Sequence, residues 1–281
     1  MKFNNFFYVF LFLTLFVFNI FSEDTARLVI GVTPWGDRVE MNNFYKPFVD
    51  YVSEKMQIPV SLYIAGSYSD LGDKLDDGEV HFGIFSPTAY VLAKNRNSKI
   101  KYIATTVKND SPYYYGYIIA RKDSKIKKIK NLKGKKFCFT DKTSTSGYKY
   151  PMLIFKKNKI SAEKFFKEII FVKTHDDSLE AVYNGIVDAG AVSGAFENYI
   201  YRDELIAIDK TPPIPLDAVV ANGFMDQKSI NLFKKIILSL NKDTKNKDGA
   251  LILEKLYFQG FVEKDDHFYD VVRDMLNEFG E

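Results

Sequence analysis

The sequence predicts an α/β protein with two lobes and two hinge crossings. Short apolar segments rich in β-branched residues alternate with segments of helical periodicity, a pattern typical of parallel sheets covered by helices. The alternation occurs twice, in residues 27–107 and again in residues 115–208. Between these blocks the chain would cross near 109–116 and near 209–217. Two crossings predict a hinge with a ligand cleft between the lobes.

The composition is compatible with this fold and excludes several classes of function. The chain has 281 residues, of which 46% are apolar, enough for two domains with buried cores. A net charge of +3, spread over scattered lysines, gives no reason to expect a nucleic-acid partner. One cysteine and three histidines offer no zinc-ligand spacing and few catalytic groups, so we expect no metal, no cofactor and no enzymatic activity.

Residues 1–22 resemble a secretory signal peptide. Lys2 is the only charged residue among them, and residues 6–21 are almost wholly apolar. This apolar stretch is shorter than the ~20 residues that a membrane-spanning helix needs. Cleavage after Ser22 would give a periplasmic or extracytoplasmic protein. Ile20 is larger than the residue usually found three positions before a cleavage site, so an uncleaved membrane anchor is the alternative.

The first block of the chain belongs to lobe 1, for which we predict residues 23–112 and 213–281. Each strand leads into a helix, and ligands of such sheets bind at these strand ends. Ser86 caps one helix, with Pro87 at its first position. Tyr68, at another strand end, faces either the cleft or the surface of its helix. The predicted strands are 27–33, 60–64, 80–85 and 101–107, and the predicted helices are 41–56, one that ends near Asp77 and one that starts at Pro87.

The second block forms lobe 2, for which we predict residues 113–212. It opens with a long strand from Tyr113 to Ala120, in which Tyr114 faces away from the tyrosines on either side of it. The other predicted strands are 136–140, 168–172, 187–192 and 204–208, and the predicted helices are 148–157, one through Leu179, Val182 and Ile186, and one from Ser193 to about Tyr201.

The chain then returns to lobe 1 through residues 211–215, a connector that three prolines hold extended. A strand at 217–221 follows, and the sequence beyond it is predicted to be helical up to Glu281. Within that region Leu256–Gly260 resembles a protease-tag remnant, although the residues after it continue a natural sequence.

A hydroxyl-rich loop separates the strand at 136–140 from the helix after it. The loop contains Ser144, Thr145 and Ser146, followed by Gly147. Backbone N–H groups at a helix start have no intrahelical partner, and the helix dipole favours negative charge there. Together with the hydroxyls they provide the neutral donors that a tetrahedral oxyanion needs, without a metal. Taken alone, the loop fits a helix cap at Ser146 better.

These segments together resemble the substrate-binding proteins of phosphate, phosphite and phosphonate ABC importers. The resemblance spans residues 27–275 and depends first on Ser144–Gly147 with Pro151 after it. It continues through His175-Asp176 ahead of 181–191, and through 214–217 and 260–273. It implies the two-lobed fold of a periplasmic binding protein of type II.

In lobe 2, the resemblance implies that Ser144, Thr145, Ser146 and Gly147 grip the oxygens of the phosphorus group. It also implies that His175 is a histidine of the cleft. By sequence alone, a helix cap is the better interpretation of His175, because two aspartates follow it.

Elsewhere, the resemblance implies that Tyr68 reaches the same phosphorus group and that Tyr114 is an aromatic residue of the cleft wall. Ser86 would line the cleft after the third strand. Asp217 matches an acidic residue that faces the substituent of the ligand. A turn residue after Pro215 is an equally good interpretation of Asp217.

The sequence departs from the family in the part that would hold the ligand's substituent. Members that bind an aminoalkylphosphonate carry a glutamate that pairs with the ammonium group, and the equivalent position is Ala195, with Glu197 two residues later. An alanine, Ala218, follows Asp217 where a proline is usual, and Asn222 replaces a common arginine. The oxyanion class is therefore better supported than any particular substituent.

The predicted function is capture of a phosphorus oxyanion (phosphonate, phosphite or phosphate) for import. The partners would be this small anion and the permease of an ABC importer, and the protein would be a monomer. One alternative is a sensor that uses the same cleft and is anchored by residues 6–21. A third hypothesis, an enzyme that acts on a phosphorylated metabolite, is not excluded by an α/β architecture.

Overall fold

The computed structural model describes residues 27–281, and the predicted signal peptide lies outside this part of the chain. The described residues form two sheets covered by helices, together with a two-stranded ribbon. The larger sheet defines lobe 1 and the smaller sheet defines lobe 2. The predicted two-lobed α/β fold is confirmed, whereas the domain boundaries stay a prediction.

The helices and strands follow one another in this order. The first part contains β1 (Leu28–Val32), α1 (Arg38–Met56), β2 (Val60–Ile64), α2 (Asp70–Asp76), β3 (Phe82–Phe85), α3 (Pro87–Arg96), β4 (Lys101–Val107), β5 (Tyr113–Tyr114) and β6 (Tyr117–Arg121). The middle contains β7 (Lys136–Phe139), a π-helical turn (Thr145–Lys149), α4 (Tyr150–Lys157), α5 (Ala162–Phe165), β8 (Glu168–Phe171), α6 (His175–Tyr183), β9 (Ala189–Val192) and β10 (Leu205–Lys210). The last part contains β11 (Ile214–Pro215), β12 (Ala218–Ala221), α7 (Gln227–Leu238), β13 (Gly260–Val262) and α8 (Asp270–Asn277), and short 3-10 helices lie at Ile129–Leu132, Gly194–Asn198, Arg202–Glu204 and Asp266–Tyr269.

Lobe 1 contains a six-stranded sheet with the order β13-β4-β12-β3-β1-β2. β1 pairs in parallel with β2 and β3, as the sequence predicts. β4 does not pair with β3, because β12 lies between them and is antiparallel to both. The four residues of β12, Ala-Val-Val-Ala, are all buried, and small and β-branched residues suit a central strand. The sheet is therefore mixed, and the expectation of a purely parallel sheet is wrong for this lobe and, as described next, for lobe 2.

Lobe 2 contains a five-stranded sheet with the order β10-β6-β9-β7-β8. β7 pairs in parallel with β8 and β9, whereas β6 is antiparallel to β9 and β10. The helix predicted through Ile186 ends at Tyr183, and Ile186 is exposed. The helix predicted from Ser193 to about Tyr201 is instead a 3-10 helix over Gly194–Asn198.

The predicted strand from Tyr113 to Ala120 is broken at Tyr115 and Gly116. β5 pairs with β11 in the two-stranded ribbon, where both crossings run side by side, and β6 joins the sheet of lobe 2. The Gly116 N–H donates to Thr211 Oγ1 at 2.9 Å, which joins the two crossings a second time. A β-carbon at Gly116 would lie 2.8 Å from that of Ser146, so glycine is required where the hinge passes the hydroxyl-rich loop.

The expectation of helix up to Glu281 is wrong in its middle. α7 ends at Leu238, residues 239–259 are largely irregular, and β13 adds an edge strand to lobe 1. The segment that resembles a tag remnant belongs to the fold, since Phe258 is fully buried in the core of lobe 1. Hydrophobic contact with α1, not helical periodicity, therefore places this region.

The lobes also touch beside the hinge. Tyr150 and Leu153 of α4 share one hydrophobic cluster with Tyr269 and Val272 of lobe 1. Within residues 27–281, none of the helices has the length and apolar character to cross a membrane.

Candidate functional site

A cavity of about 560 Å³ lies between the two lobes. Eight of the nine predicted ligand-binding residues line it, and they come from both lobes: Tyr68, Ser86, Tyr114, Ser144, Thr145, Ser146, His175 and Asp217. Gly147 is the exception. The three hydroxyl residues of the loop are each 1% exposed, so the lobes are closed over this end of the cavity.

The loop is held in shape by its own hydrogen bonds. Ser144 is the N-cap residue, because its Oγ accepts the Gly147 N–H at 3.1 Å. The Ser144 N–H donates to Asp141 O at 2.9 Å. Among the described residues, the N–H groups of Thr145 and Ser146 have no acceptor. Two amides of the loop are therefore used internally and two remain available, and the interpretation of Ser146 as the cap is wrong.

Gly147 supports the loop rather than lining the cavity. A β-carbon there would lie 1.8 Å from Thr140 Oγ1 and 2.9 Å from Ser144 Oγ. The chain enters the helix through a π-helical turn at this point, because the Lys149 N–H donates to Ser144 O five residues back. A side chain at position 147 would push the whole turn away from β7.

Thr145 connects the two lobes. Its Oγ1 accepts the N–H of Thr88, in the first turn of α3, at 3.0 Å and lies 3.0 Å from Thr88 Oγ1. The Thr145 hydroxyl is therefore occupied in a contact between lobes, which leaves its N–H to face the cavity.

Two tyrosines and one serine bring further hydroxyls to the loop. The Tyr114 hydroxyl donates to Ser146 Oγ at 3.4 Å, and the Tyr68 hydroxyl lies beside that of Ser144. Tyr68 is buried, so its assignment to the surface of its helix is wrong. Ser86 Oγ is buried and has no protein partner among the described residues, nor does it cap its own helix. A buried polar atom without a partner loses solvation unless a water or a ligand supplies the bond.

His175 is the first residue of α6, and its side chain points into the cavity. Thr174 caps the helix in a capping box with Asp177, so the interpretation of His175 as the cap is wrong. The Ser193 N–H donates to His175 Nδ1 at 3.1 Å. Nδ1 is therefore an acceptor, and Nε2 carries the ring proton. Burial lowers the pKa of His175 to about 4, so at neutral pH this histidine is an uncharged donor.

Asp217 is the acidic residue at this end of the cavity. Burial raises its pKa to about 7, and a hydrogen bond from the Tyr257 hydroxyl opposes this shift. The Tyr45 hydroxyl lies beside that of Tyr257, behind this contact. Trp35 Nε1 donates to the Tyr45 oxygen at 3.5 Å. Asp217 is thus held from behind by lobe 1.

The sequence analysis assigned no binding role to the residues that line the remainder of the cavity. Trp35 follows β1 at a strand end, where ligands of such sheets bind. Four of the others come from residues 255–259, in or beside the segment that resembles a tag remnant, and four come from residues 193–198. This group comprises Thr33, Trp35, Phe44, Lys108, Asp176, Ser193, Gly194, Ala195, Asn198, Leu216, Lys255, Leu256, Tyr257 and Gln259.

The chemistry of the site is that of an anion receptor built from neutral donors. Hydroxyls, amides and one imidazole N–H converge on the closed end, with one carboxyl beside them. No group of acidic, histidine or cysteine side chains with metal-binding geometry occurs in residues 27–281.

Comparison with known proteins places the chain in a family. The family profile described as the periplasmic substrate-binding protein of a phosphonate ABC transporter matches residues 30–269. The phosphate-import protein PhnD of Mycolicibacterium smegmatis is 28% identical over 172 residues, which cover 58% of this chain and 54% of the relative. The match thus spans about half the length of that relative.

Two solved structures share the fold. The binding-protein component of a phosphonate ABC transporter from Pseudomonas aeruginosa superposes with a TM-score of 0.81 at 24% identity, covering 90% of this chain and 86% of its own. PhnD1 of Prochlorococcus marinus, solved in complex with methylphosphonate, has a TM-score of 0.81 at 20% identity, covering 90% and 98%. The family profile covers most of the chain, and the chain therefore belongs to the periplasmic substrate-binding proteins of phosphonate ABC transporters.

Proposed function

We propose that this protein captures a phosphorus oxyanion between its lobes and delivers it to the permease of an ABC importer. The observation that carries the proposal is the convergence of neutral donors at the closed end of the cavity. These donors are the N–H groups of Thr145 and Ser146, the hydroxyls of Ser144, Ser146 and Ser86, and His175 Nε2. Preorganised neutral donors in a dry site hold an anion strongly without a counter-charge.

Asp217 favours phosphorus over sulfur oxyanions. A carboxylate repels a fully ionised ligand but accepts a hydrogen bond from a ligand that still carries an acidic proton. Phosphonates and phosphate carry such a proton near neutral pH, whereas sulfate and sulfonates do not. A buried acceptor without a matching donor loses affinity, so we expect sulfate to bind much more weakly.

Transport follows from closure of the two lobes about the β5–β11 ribbon. The contact between Thr88 and Thr145 belongs to the closed arrangement, and its loss would accompany opening. Membership of a periplasmic family implies a place outside the cytoplasm. Removal of residues 1–22, a monomeric state and the lobe boundaries at 112/113 and 212/213 are parts of this proposal.

The alternatives make different predictions. The relatives described above are import and binding proteins by name, and none of them supports the anchored sensor. An intact Met1 on the exported protein would favour the anchor. Turnover of a panel of phosphoesters would favour the enzyme, for which a family of transport binding proteins gives no support.

Calorimetry on residues 23–281 tests the proposal. The panel is phosphate, phosphite, methylphosphonate and aminoethylphosphonate, with sulfate as the discriminating anion. We expect at least one phosphorus ligand to bind and sulfate not to bind. Heat from none of the phosphorus ligands would count against the function.

A double variant tests the loop. Ser144→Ala with Ser146→Ala removes two hydroxyls, each contributing roughly 1.5 kcal/mol or more to a charged ligand, so affinity should fall at least about 100-fold. Ser161→Ala, on an exposed residue of lobe 2, is the control. Unchanged affinity in the double variant would reject the role of the loop.

A further inference from the structure

Two lysines line the cavity together with the anion-binding residues. Lys108 follows β4 at the start of the first crossing, and Lys255 belongs to the irregular segment before β13. Neither ammonium group forms an ion pair with a carboxylate within residues 27–281, whereas Lys234 of the same lobe does. The cavity thus has a basic side whose charges are not neutralised by the protein.

Hydrogen bonds tie Gln259, which lines the same cavity, to the first crossing beside Lys108. The Gln259 N–H donates to Val107 O at 2.7 Å, and the Asn109 N–H donates to Gln259 Oε1 at 2.9 Å. The carbonyl oxygen of the Gln259 side chain is therefore used, and its NH₂ group remains as a donor. Two ammonium groups and an amide NH₂ group together present donors to the cavity.

The lysines lie on the other side of Asp217 from the Ser144 loop. Thr145 of that loop contacts Thr88, which follows β3, whereas Lys108 follows β4, and Asp217 immediately precedes β12, which lies between these two strands. Adjacent strands lie about 4.8 Å apart, so the basic side is roughly two strand spacings from the loop where the phosphorus group is proposed to bind.

Tyr257 donates to Asp217 and lies two residues from both Lys255 and Gln259, and the ring of Trp35 packs edge to face on it at 5.4 Å. A short carbon chain suits this aromatic passage.

The other residues that line the cavity also give little support to a cationic substituent. Ala195 lines the cavity with a methyl group, which offers no partner to a cationic substituent. Asp176 is the one acidic lining residue besides Asp217, and it lies across from Gly36 at the opening between the lobes. Its acidic neighbours Glu40, Asp177 and Glu180 help burial to raise its pKa, which weakens it as a partner for a cation.

We propose that the substituent of the ligand ends in a second anionic group, a carboxylate, which Lys108, Lys255 and Gln259 hold. This inference rests on the proposed function and narrows its ligand to a phosphonocarboxylate. The phosphorus group would bind the Ser144 loop, the carbon chain would pass Trp35 and Tyr257, and the carboxylate would reach the basic side.

The test is a set of titrations that vary only the substituent. The ligands are phosphonoacetate, 3-phosphonopropionate, methylphosphonate, aminoethylphosphonate and methylenebisphosphonate. We expect one of the two carboxylates to bind about tenfold more tightly than methylphosphonate. Equal affinities, or a preference for methylenebisphosphonate, would show that the site does not select a carboxylate as the substituent.

Variants locate the effect. Lys108→Gln combined with Lys255→Gln should weaken the preferred phosphonocarboxylate at least about fivefold more than methylphosphonate. Lys247→Gln, on an exposed lysine of the same irregular region, should not separate the two ligands. If aminoethylphosphonate binds most tightly and loses this advantage in Asp176→Asn, the cavity selects a cationic substituent and the proposal is rejected.

The outcomes separate this inference from the function it rests on. Binding of methylphosphonate without any preference for a carboxylate overturns the inference alone. Binding of no phosphorus ligand overturns both.

Discussion

The two lobes build their halves of the site in different ways. Lobe 2 contributes a contiguous loop, Ser144–Gly147, and the adjacent His175, which are fixed by hydrogen bonds within lobe 2. Lobe 1 contributes single residues from separate segments, among them Tyr68, Ser86 and Asp217. The half that holds the oxyanion is thus a local motif, and the half that closes over it is assembled by packing.

The halves also differ in charge. The donors of lobe 2 stay neutral across the physiological range, since burial keeps the pKa of His175 at about 4. Lobe 1 contributes Asp217, whose pKa of about 7 lies within that range. The donors of lobe 2 should therefore bind an oxyanion throughout the physiological pH range, whereas the contribution of Asp217 in lobe 1 should depend on whether the oxyanion carries a proton.

The largest effect should come from breaking the loop of lobe 2. Gly147→Ala places a β-carbon 1.8 Å from Thr140 Oγ1, and overpacking of this kind lowers the free energy of unfolding by roughly 1–3 kcal/mol. The loop must move, so affinity for a phosphorus ligand should fall more than about 100-fold. Calorimetry measures the affinity, and thermal unfolding measures the stability. Gly66→Ala is the control, because its nearest contact is 3.5 Å away. Binding like that of the native protein would show that the shape of the loop does not matter.

The next effect concerns the acid of lobe 1. The folded protein keeps a proton on Asp217 up to about pH 7, whereas the unfolded chain releases it near pH 4. The folded state thus binds more protons in this interval, so Asp217 lowers stability as pH rises from 4 to 7. Asp217→Asn should raise the melting temperature of the ligand-free protein by roughly 5 °C or more at pH 8, and very little at pH 4.

Thermal unfolding of both proteins across this pH range measures the difference. It should grow through pH 4–7 and then level off. A difference that does not change with pH would show that Asp217 is ionised normally.

A smaller effect should come from the hydrogen bonds behind Asp217. Tyr257→Phe removes the donor to this carboxyl, which raises its pKa further and makes it a poorer acceptor for the proton of the ligand. Affinity near neutral pH should fall about tenfold, as for loss of one hydrogen bond to a charged group. Tyr45→Phe, which removes a hydroxyl one step further from Asp217, should lower the affinity less. Tyr51→Phe, elsewhere on α1, serves as the control, and an equal loss in all three would indicate a packing effect.

The smallest effect should come from the contact between lobes. Thr88→Val removes the hydroxyl that faces Thr145 Oγ1 and keeps the backbone N–H. A neutral hydrogen bond contributes roughly 0.5–1.5 kcal/mol, so affinity should fall a few-fold. Thr88→Ser keeps the hydroxyl and should restore binding. Small-angle scattering should show a more open ligand-free protein for Thr88→Val, and an unchanged radius would place the contact outside the closing motion.

Much of lobe 2 could be predicted from the sequence because its signals are local. Apolar runs mark β7, β8 and β9, and the donors of the anion loop follow one another along the chain. The predicted strand from Tyr113 to Ala120 failed because a strand pattern does not reveal that its two ends pair with different partners.

One missed part of the site lies in residues 255–259. Nothing in their local pattern predicts a binding wall, and their resemblance to a tag remnant pointed elsewhere. Burial of Phe258 against α1 positions Tyr257 on Asp217 and brings Lys255 and Gln259 to the cavity.

The sequence by itself determined the two-lobed α/β architecture and the place of the hydroxyl-rich loop, because each depends on periodicity or on residues adjacent in the chain, and the class of ligand followed from the resemblance to a family of binding proteins. Only the tertiary structure decided where β12 lies in its sheet, that His175 is a neutral donor and that Asp217 is backed by Tyr257. These features depend on burial and on contacts between distant segments, which shift a pKa or use up a hydrogen bond in ways that no local pattern records.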